Sequence, residues 1–413
     1  MKKKTQCRIR KETQRRLGFF FVLFILLINL LGTVRIASAK NDEPENLYAY
    51  SALLYDATAG RVLFEKNGYE VLPMASTTKI MTLLVVLEHT EPTDVVTVSK
   101  NAARQPDVQL NMNTGEQYYV KDLCYSLMLE SHNDTAVALA EHVGGTTEGF
   151  ATLMNAKARA LGAYSANFVT PNGLDAEGHG ISAADLAKIA AYAITVEEFL
   201  EITNTQSHTF IELTKGTSHT VNNKNAFLSM MEGAIGVKTG FTGKAGYCFV
   251  GAVKREDRTL VSVVLASGWP PNKSYKWSDT KKLMQYGIDA FKLLPVLREQ
   301  EPLPKLPAME VNKGQQSVVA LQYEEEAVKE LEAMKLLQKG DETLSYECSY
   351  VCNMLTAPVK PGYKVGELRV LLNGEEIKKI PIQTANAVVP VNFSYYFRKA
   401  VTAFFSGEYL ILR

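Results

Sequence analysis

Apolar residues recur at spacings of three and four through the middle of the chain, the period of helices that bury one face. The pattern predicts helices over residues 77–89, 120–141, 150–161 and 183–193. Because these helices follow one another with only short breaks, we expect a largely helical region in this part of the fold.

Strand patterns lie on both sides of these helices. Residues 47–66 alternate apolar and polar positions around a central cluster of turn formers, which predicts a β-hairpin. Residues 245–254 and 259–267 predict two more strands, and a helix over residues 278–294 follows them. Strands, then helices, then strands predict a mixed α/β (α+β) domain with an antiparallel sheet, which we place at residues 40–295.

A proline-rich segment ends this region. Four prolines lie between positions 295 and 307, and such a segment forms neither a helix nor a central strand. Beyond it the apolar positions mostly alternate, and one apolar run leads into Asn373 and Gly374, a strong hairpin signal. We therefore predict a small β-rich domain at residues 308–388.

The tail, residues 390–413, returns to a helical spacing. Its apolar positions share one face of the predicted helix, and they are Phe393, Tyr396, Phe397, Ala400, Val401, Phe404 and Phe405. Each buried Phe contributes about 1.5–3 kcal/mol, so this amphipathic face is predicted to bind a membrane surface. The alternative is that the same face packs on the β-rich domain as ordinary core.

The first 39 residues have the layout of a secretory signal peptide. A basic segment precedes the apolar positions 17–31, and Ala37, Ser38 and Ala39 follow as a small-residue cleavage site. We therefore predict cleavage after Ala39 and export to the outer face of the cytoplasmic membrane, with peripheral attachment through the tail. An uncleaved membrane anchor is the alternative, although the apolar run is shorter than the roughly 20 residues that span a bilayer.

The charge distribution argues against one class of partner. The chain has 45 Lys and Arg against 44 Asp and Glu, and nine of these basic residues but only one acidic residue precede position 40. The remainder has 36 basic and 43 acidic residues, a formal charge near −7. A chain this acidic lacks the basic surface that a phosphate backbone requires, so we expect no nucleic-acid partner.

The cysteines predict neither a disulfide framework nor a metal site. Cys124, Cys248, Cys348 and Cys352 remain after the predicted cleavage, which is few for so long a chain. No histidine follows His219 to complete a metal site near the last two thiols. We therefore expect no metal and no cofactor, and we interpret the four cysteines as small, half-buried residues.

Ser76 and Lys79 form the first candidate catalytic pair, at the start of a predicted helix. Their three-residue spacing places both side chains on one face, one turn apart. A neutral lysine can accept the serine proton, and lysine becomes neutral near pH 7 when it is desolvated or lies beside another cation. Alone the pattern is weak, because such a four-residue motif occurs by chance in most long chains.

Ser131 and Asn133, on either side of His132, form the second candidate. A hydroxyl and an amide two residues apart on a turn can face one cavity, where one passes a proton and the other binds a substrate amide. The alternative is a helix start, since Ser and Asn both favour the N-cap position. Taken alone, this segment favours the N-cap.

Lys238, Thr239 and Gly240 form the third candidate, on a predicted strand. Lys238 supplies a second cation that anchors an anionic substrate group and lowers the pKa of Lys79, and Thr239 offers a hydroxyl to a carboxylate. Gly240 leaves room for a substrate backbone to lie along the strand. An edge strand that merely contains a glycine is the alternative. The order and context of all three motifs make a chance combination improbable.

Together the motifs, 55 and 107 residues apart, resemble those of the penicillin-recognising serine acyl-transferases. They are most similar to the low-molecular-weight penicillin-binding proteins that act as D-alanyl-D-alanine carboxypeptidases. Residues 170–187 also resemble a loop and helix of that family. The resemblance implies a serine transpeptidase/β-lactamase-like domain at 40–295, followed by a β-rich domain and a terminal anchor.

The resemblance also implies a role for each site residue. These are the nucleophile Ser76, its base Lys79, the second-motif pair Ser131 and Asn133, and the substrate-binding residues Lys238, Thr239, Gly240 and Phe241. The backbone N–H groups of Ser76 and Phe241 would form the oxyanion hole. Two positions depart from the family pattern: His132 replaces a small residue, and Phe241 takes a position that is often polar. We expect these two departures to reshape the mouth of the site, and hence to alter rate and substrate preference.

The implied reaction removes the terminal D-alanine from a peptidoglycan stem peptide ending in D-Ala-D-Ala, a step of cell-wall biogenesis. β-Lactams would be covalent inhibitors of the same serine. Three alternatives remain open. A β-lactamase would need a glutamate and a water for deacylation, and Glu177 carries no strong sign of that role. A transpeptidase differs in using an amine as acceptor, and a non-catalytic penicillin-binding sensor would release no D-alanine.

Overall fold

The computed structural model describes residues 43–298 and 302–406. The predicted signal peptide and its cleavage position lie outside the described residues, as do positions 407–413 of the predicted tail. The helices of the first range are α1 (Lys79–His89), α2 (Val120–Leu129), α3 (Asn133–Gly144), α4 (Thr147–Ala160), α5 (Ala183–Ala193), α6 (Glu197–Asn204), α7 (Phe227–Met230) and α8 (Tyr275–Asp289).

The strands of the same range are β1 (Ser51–Asp56), β2 (Arg61–Lys66), β3 (Val71–Leu72), β4 (Val95–Thr97), β5 (Gln117–Tyr119), β6 (Ile181–Ser182), β7 (Ser207–Ile211), β8 (Ser218–Asn222), β9 (Ala234–Thr242), β10 (Gly246–Arg255), β11 (Arg258–Leu265) and β12 (Phe291–Pro295). Five of them form an antiparallel sheet in the order β2-β1-β11-β10-β9. The predicted first hairpin is confirmed as β1 and β2. The fifth strand, β9, lies at an edge of this sheet.

Helices cover both faces of the sheet. On β1, Leu53 packs in one hydrophobic cluster with residues of α1 and α5, whereas Leu54 packs in a second cluster with Leu283 and Met284 of α8. Neighbouring residues separate in this way because successive side chains of a strand point to opposite faces. The predicted mixed fold with an antiparallel sheet and a helical region is therefore confirmed.

Two predicted helices differ from the structure. The helix expected over residues 120–141 is two helices, α2 and α3, separated by Ser131, whose φ of 71° lies in the left-handed region. The helix expected over residues 278–294 ends at Asp289, and Phe291–Pro295 form β12 instead. This strand pairs with Lys335–Lys339, so a partner distant in sequence overrides the local helical spacing.

The second range is rich in strands, as predicted, and also contains a helix that the sequence did not predict. Its elements are β13 (Met309–Asn312), β14 (Val318–Val319), β15 (Leu321–Tyr323), α9 (Glu325–Ala333), β16 (Lys335–Lys339), β17 (Leu344–Tyr350), β18 (Met354–Thr356), β19 (Lys364–Leu372), β20 (Glu375–Thr384) and α10 (Phe393–Ser406). Asn373 and Gly374 join β19 to β20 with φ values of 52° and 81°, so the predicted hairpin is confirmed.

The last helix, α10, carries no buried residue. Phe393, Phe404 and Phe405 are each more than four-fifths exposed, and Phe397 is 60% exposed. No helix within the described ranges has both the length and the apolarity that crossing a bilayer requires. The aromatic face predicted from the spacing is therefore open in the described structure.

Candidate active site

Ser76 lies in a short 3₁₀ turn, Ala75–Thr78, that leads directly into α1. The Thr77 hydroxyl donates to the Met74 carbonyl at 2.6 Å and holds this turn together. Lys79 follows as the first residue of α1, and its Nζ lies 2.9 Å from Ser76 Oγ. The three-residue spacing thus places the amine and the hydroxyl in direct contact.

Lys79 is fully buried, and its amine is surrounded by oxygen atoms. Besides Ser76 Oγ, its Nζ donates to Asn133 Oδ1 at 2.9 Å and to the Asn172 carbonyl at 2.7 Å. An ammonium would fill all three contacts as a donor. A neutral amine keeps two N–H bonds, to Asn133 and Asn172, and turns its lone pair toward Ser76. The same geometry therefore suits the group before and after it accepts a proton.

The electrostatic surroundings favour the neutral amine. Burial, and then the positive charge of Lys238, holds the pKa of Lys79 well below its ordinary value, while Asp134 opposes this effect. Lys238 is itself buried, which lowers its pKa to about 7. Its Nζ donates to the Thr239 carbonyl at 3.1 Å. If two buried amines this close were both charged, desolvation and mutual repulsion would raise their free energy. One of them therefore loses its proton readily.

The second motif lies at the break between α2 and α3. Asn133 Nδ2 donates to the carbonyls of Pro106 and Asp107 at 3.0 and 3.1 Å, which leaves Oδ1 to accept from Lys79. Neither Ser131 nor Asn133 caps α3, whose N-cap residue is His132 without a side-chain bond. Among the described residues, buried Ser131 Oγ has no hydrogen-bond partner. The amide expected to bind substrate is thus engaged with the protein, and the hydroxyl is available.

The His132 side chain is buried and makes its contacts within the protein. Its Nδ1 lies 2.8 Å from Ser126 Oγ, which in turn lies 2.9 Å from Thr135 Oγ1, and its Nε2 lies 3.3 Å from Glu130. Burial lowers the pKa of this imidazole, so the ring is neutral at pH 7. The histidine therefore ties the end of α2 to the start of α3.

The third motif lies on the edge strand β9, and Gly240 makes its closest approach to Ser76. A Cβ built on Gly240 would come within 2.9 Å of the Ser76 nitrogen and 3.1 Å of Ala75 Cβ. The sequence suggested that this glycine makes room for substrate. In the structure it makes room for the turn Ala75–Thr78, so the strand can lie against Ser76.

The remaining strand residues lie around that contact. Lys238 and Gly240 share one face of β9, whereas Thr239 and Phe241 alternate with them. Phe241 is 43% exposed, and its ring lies 4.6 Å from that of Tyr247 on β10. The aromatic pair therefore forms an apolar surface beside the third motif.

The loop 167–180 supplies a contact that the sequence did not reveal. The Asn172 carbonyl accepts from Lys79 Nζ and, at 3.3 Å, from Ser76 Oγ. Gly173, with a φ of 82°, follows it, and a Cβ there would lie 2.0 Å from the Ala75 carbonyl oxygen. The only available signal was the resemblance of segment 170–187 to the family, because a backbone carbonyl has no residue type that marks it.

The structure thus brings Ser76, Lys79 and Asn133 into one hydrogen-bonded cluster, with Lys238 close enough to act on Lys79 electrostatically. A hydroxyl beside a neutral, buried amine can act as a nucleophile, and the amine can act as its base. No group of His, Cys, Asp or Glu side chains suited to hold a metal ion occurs within the described ranges. The arrangement fits acyl transfer through a serine.

Comparison with known proteins identifies the relatives of this chain. The family "D-alanyl-D-alanine carboxypeptidase" matches residues 37–268, and "Penicillin-binding protein 5, C-terminal domain" matches residues 307–390. The D-alanyl-D-alanine carboxypeptidase DacC of Escherichia coli is 31% identical over 86% of this chain and 87% of its own length. DacF of Bacillus subtilis, a protein of the same description, is 29% identical over 86% of this chain and 89% of its own length.

Solved structures agree with these relatives. Penicillin-binding protein 5 from Haemophilus influenzae has a TM-score of 0.64 and 27% identity, and the match covers 84% of this chain and 99% of that one. The resemblance to low-molecular-weight penicillin-binding proteins is thereby confirmed along both the mixed and the β-rich regions. The chain belongs to the D-alanyl-D-alanine carboxypeptidase family.

Proposed function

We propose that this protein is a serine-type D-alanyl-D-alanine carboxypeptidase that removes the terminal D-alanine from peptidoglycan stem pentapeptides, with Ser76 as nucleophile. The observation that carries the assignment of residues is the buried amine of Lys79, 2.9 Å from Ser76 Oγ and bonded to Asn133 and Asn172. The family and its relatives support the reaction and the binding of penicillin.

The first half of the reaction acylates the serine. Ser76 Oγ forms a bond to the carbonyl carbon of the penultimate D-alanine while its proton passes to the lone pair of Lys79 Nζ. The backbone N–H groups of Ser76 and Phe241 bind the developing oxyanion. As the intermediate collapses, the C–N bond breaks, and the proton passes to the departing amine. Ser131, whose hydroxyl is unpartnered among the described residues, is suited to relay that proton.

The second half hydrolyses the acyl-enzyme. A water attacks the ester carbonyl and gives its proton to Lys79. The bond to Ser76 Oγ then breaks as Lys79 returns this proton to the serine oxygen, which restores the free enzyme. Lys238 and Thr239 bind the substrate carboxylate, as a cation and a hydroxyl donor. A β-lactam would acylate Ser76 in the same way, but its leaving group stays tethered after ring opening. The adduct therefore persists and blocks the site.

The rival activities are distinguished by what receives the acyl group. A β-lactamase uses a carboxylate and a water for rapid deacylation, and Glu177 is exposed on the loop 167–180. The atoms that contact the Lys79 amine are hydroxyl, amide and carbonyl oxygens. Such oxygens are much weaker bases than a carboxylate and activate a water poorly. This set therefore favours a long-lived β-lactam adduct over a rapidly hydrolysed one. A transpeptidase would give a cross-linked product, and a sensor would give none.

Mass spectrometry of residues 40–413 with a pentapeptide and with penicillin tests this function. The wild type is expected to release D-alanine and to gain the mass of penicillin. Ser76→Ala should do neither, whereas Ser229→Ala, at an exposed serine, should behave as the wild type. Normal labelling of Ser76→Ala would remove that serine from its role. Labelling of the wild type without D-alanine release would favour the sensor.

Export and attachment to a membrane surface are part of the same proposal. The open aromatic face of α10, with Phe393 and Phe404 each more than four-fifths exposed, is the feature that supports attachment. Each Phe that enters a bilayer interface contributes about 1.5–3 kcal/mol, less the cost of ordering the helix.

Sedimentation with phosphatidylglycerol vesicles tests the attachment. Residues 40–413 should pellet with the vesicles, and the double variant Phe393→Ser/Phe404→Ser should lose at least about tenfold in partitioning. Tyr164→Ser, which removes an aromatic ring that is 80% exposed elsewhere, is the matched control and should pellet normally. Equal pelleting of all three proteins would exclude α10 as the attachment site.

A further inference from the structure

A buried histidine links the loop 167–180 to the turn Ala75–Thr78, which contains Ser76. His179 is 6% exposed, and its Nδ1 accepts from the Val169 backbone N–H at 3.0 Å. Its Nε2 lies 3.0 Å from Thr78 Oγ1, which is also buried. The Thr78 hydroxyl in turn donates to the Ala75 carbonyl at 2.8 Å. These contacts form an unbroken chain from the loop to the residue before Ser76.

The hydrogen-bond chain has one direction. Because Nδ1 of His179 accepts from a backbone N–H, the proton of the neutral ring lies on Nε2. Nε2–H then donates to Thr78 Oγ1, whose own proton is given to the Ala75 carbonyl. Burial lowers the pKa of His179 to about 4, so the ring is neutral at pH 7. Every donor and acceptor in the chain is therefore matched.

The chain of hydrogen bonds ends on the peptide unit that carries the proposed oxyanion donor. The Ala75 carbonyl and the Ser76 N–H belong to one planar trans peptide, so fixing the carbonyl also fixes the direction of the N–H. Ala75 has a φ of 47°, in the left-handed region that non-glycine residues rarely adopt. The Ser76 nitrogen lies against Gly240 of β9, beside Phe241.

We infer that His179 is a positioning residue for the oxyanion hole: through Thr78 it fixes the plane of the Ala75–Ser76 peptide and aims the Ser76 N–H at the developing oxyanion. The inference rests on the proposed function, because it requires Ser76 to be acylated. A hydrogen bond to the carbonyl also polarises the same peptide, which makes its N–H a stronger donor.

A misdirected oxyanion donor raises the free energy of the transition state, but it hardly changes that of the non-covalent complex. Removing one such donor from a serine hydrolase costs roughly 10²–10³ in rate, so tilting it should cost about 10–100-fold. The rate constant of acylation should therefore fall while the dissociation constant of the non-covalent complex stays unchanged. A loss of folding alone would lower the fraction of active protein without changing the rate per active site.

Two pairs of variants separate the hydrogen bonds from side-chain volume. Thr78→Val keeps the shape and removes the hydroxyl, whereas Thr78→Ser keeps the hydroxyl. His179→Phe keeps a ring without hydrogen-bonding atoms, whereas His179→Gln retains one acceptor and one donor. We expect acylation by penicillin, measured per active site, to fall about 10–100-fold in Thr78→Val and His179→Phe, and to recover largely in the other two.

Three further measurements complete the test. Binding of a boronic acid, which forms a tetrahedral adduct with serine, should weaken by the same factor as acylation. The double variant Thr78→Val/His179→Phe should be no slower than the slower single variant, because both break one chain. His142→Phe, at an exposed histidine of α3, should match the wild type.

The possible failures are distinguishable. Unchanged acylation in folded His179→Phe, or independent effects that multiply in the double variant, would overturn the positioning role and leave the proposed function intact. If the wild type is not acylated by penicillin, the proposed function fails first. If His179→Phe does not fold, the acylation rate constants of Thr78→Val and Thr78→Ser test the positioning role in its place. Equal rate constants in these two variants would overturn it.

Discussion

Gly240 lies so close to Ser76 that no side chain fits between them. A Cβ at position 240 would come within 2.9 Å of the Ser76 backbone nitrogen and 3.1 Å of the Met74 carbonyl oxygen. Backbone atoms cannot move aside as the end of a flexible side chain can. The separation of β9 from the turn Ala75–Thr78 therefore depends on this glycine.

Gly240→Ala should slow acylation by about 10–10³-fold, because the added methyl displaces β9 and with it the proposed oxyanion donor at Phe241. The second-order rate constant with a fluorescent penicillin measures the effect. Gly243→Ala, three residues further along, is the matched control, since a Cβ there meets no atom within 4 Å. Equal rates in the two variants would contradict this account of Gly240.

Lys79→Arg should nearly abolish acylation, with a loss of at least about 10³-fold. A guanidinium stays protonated and cannot accept the proton of Ser76, and its planar fork does not match the oxygens around Nζ. Stopped-flow measurement of penicillin acylation checks this result. Lys100→Arg makes the same exchange at an exposed position and should leave the rate unchanged. Substantial activity in Lys79→Arg would refute the lysine as base.

Lys238→Met should abolish carboxylate binding yet stabilise the fold at neutral pH. Burial depresses the pKa of Lys238 from 10.5 to about 7, so the unfolded chain binds more protons between these values. The free energy of unfolding therefore rises with pH across that window. The destabilisation that comes from burying the protonated amine is complete below pH 7. Without the buried amine, we expect a gain of roughly 1–4 kcal/mol at pH 6.5 that shrinks by pH 9.5.

Urea unfolding at the two pH values measures this gain. Lys244→Met, at an exposed lysine near the end of β9, is the control and should show neither the gain nor its pH dependence. A gain in Lys238→Met of equal size at pH 6.5 and 9.5 would show that better packing of the methionine, and not removal of the buried amine, stabilises the variant.

The part of the site that the sequence predicts is the part encoded by side chains at short spacing. Ser76 and Lys79 meet because one helical turn separates them, which is a local property of the backbone. The pairing of Lys79 with Asn133 spans 54 positions and could be anticipated only from the resemblance. The same distinction holds in the fold, where the hairpins at β1–β2 and β19–β20 were predictable from local turn residues.

The remainder depends on atoms or partners that a sequence pattern does not express. The Asn172 contact uses a backbone carbonyl, which every residue possesses, so no residue type marks it. The break at Ser131 interrupts a continuous helical spacing through a single left-handed residue. The strand Phe291–Pro295 exists because Lys335–Lys339 pair with it from a distant part of the chain. Long-range pairing therefore overrode the local period.

The four cysteines that follow the predicted cleavage position should divide into two reactive and two unreactive thiols. Cys348 is exposed and Cys352 is half-buried, whereas Cys124 and Cys248 are fully buried, which raises the pKa of both to about 12. Alkylation requires an accessible thiolate. Iodoacetamide at pH 8 should therefore label the first two in the folded protein and the other two only in urea.

Peptide mapping by mass spectrometry reads each thiol of residues 40–413 separately, and the urea-unfolded protein serves as the control in which all four react. Because Cys248 lies on β10, directly opposite Gly240 of β9, its labelling also reports on the strand pair beside Ser76. Rapid labelling of Cys248 in the folded protein would mean that this pair opens, and the close contact between Gly240 and Ser76 would then be transient.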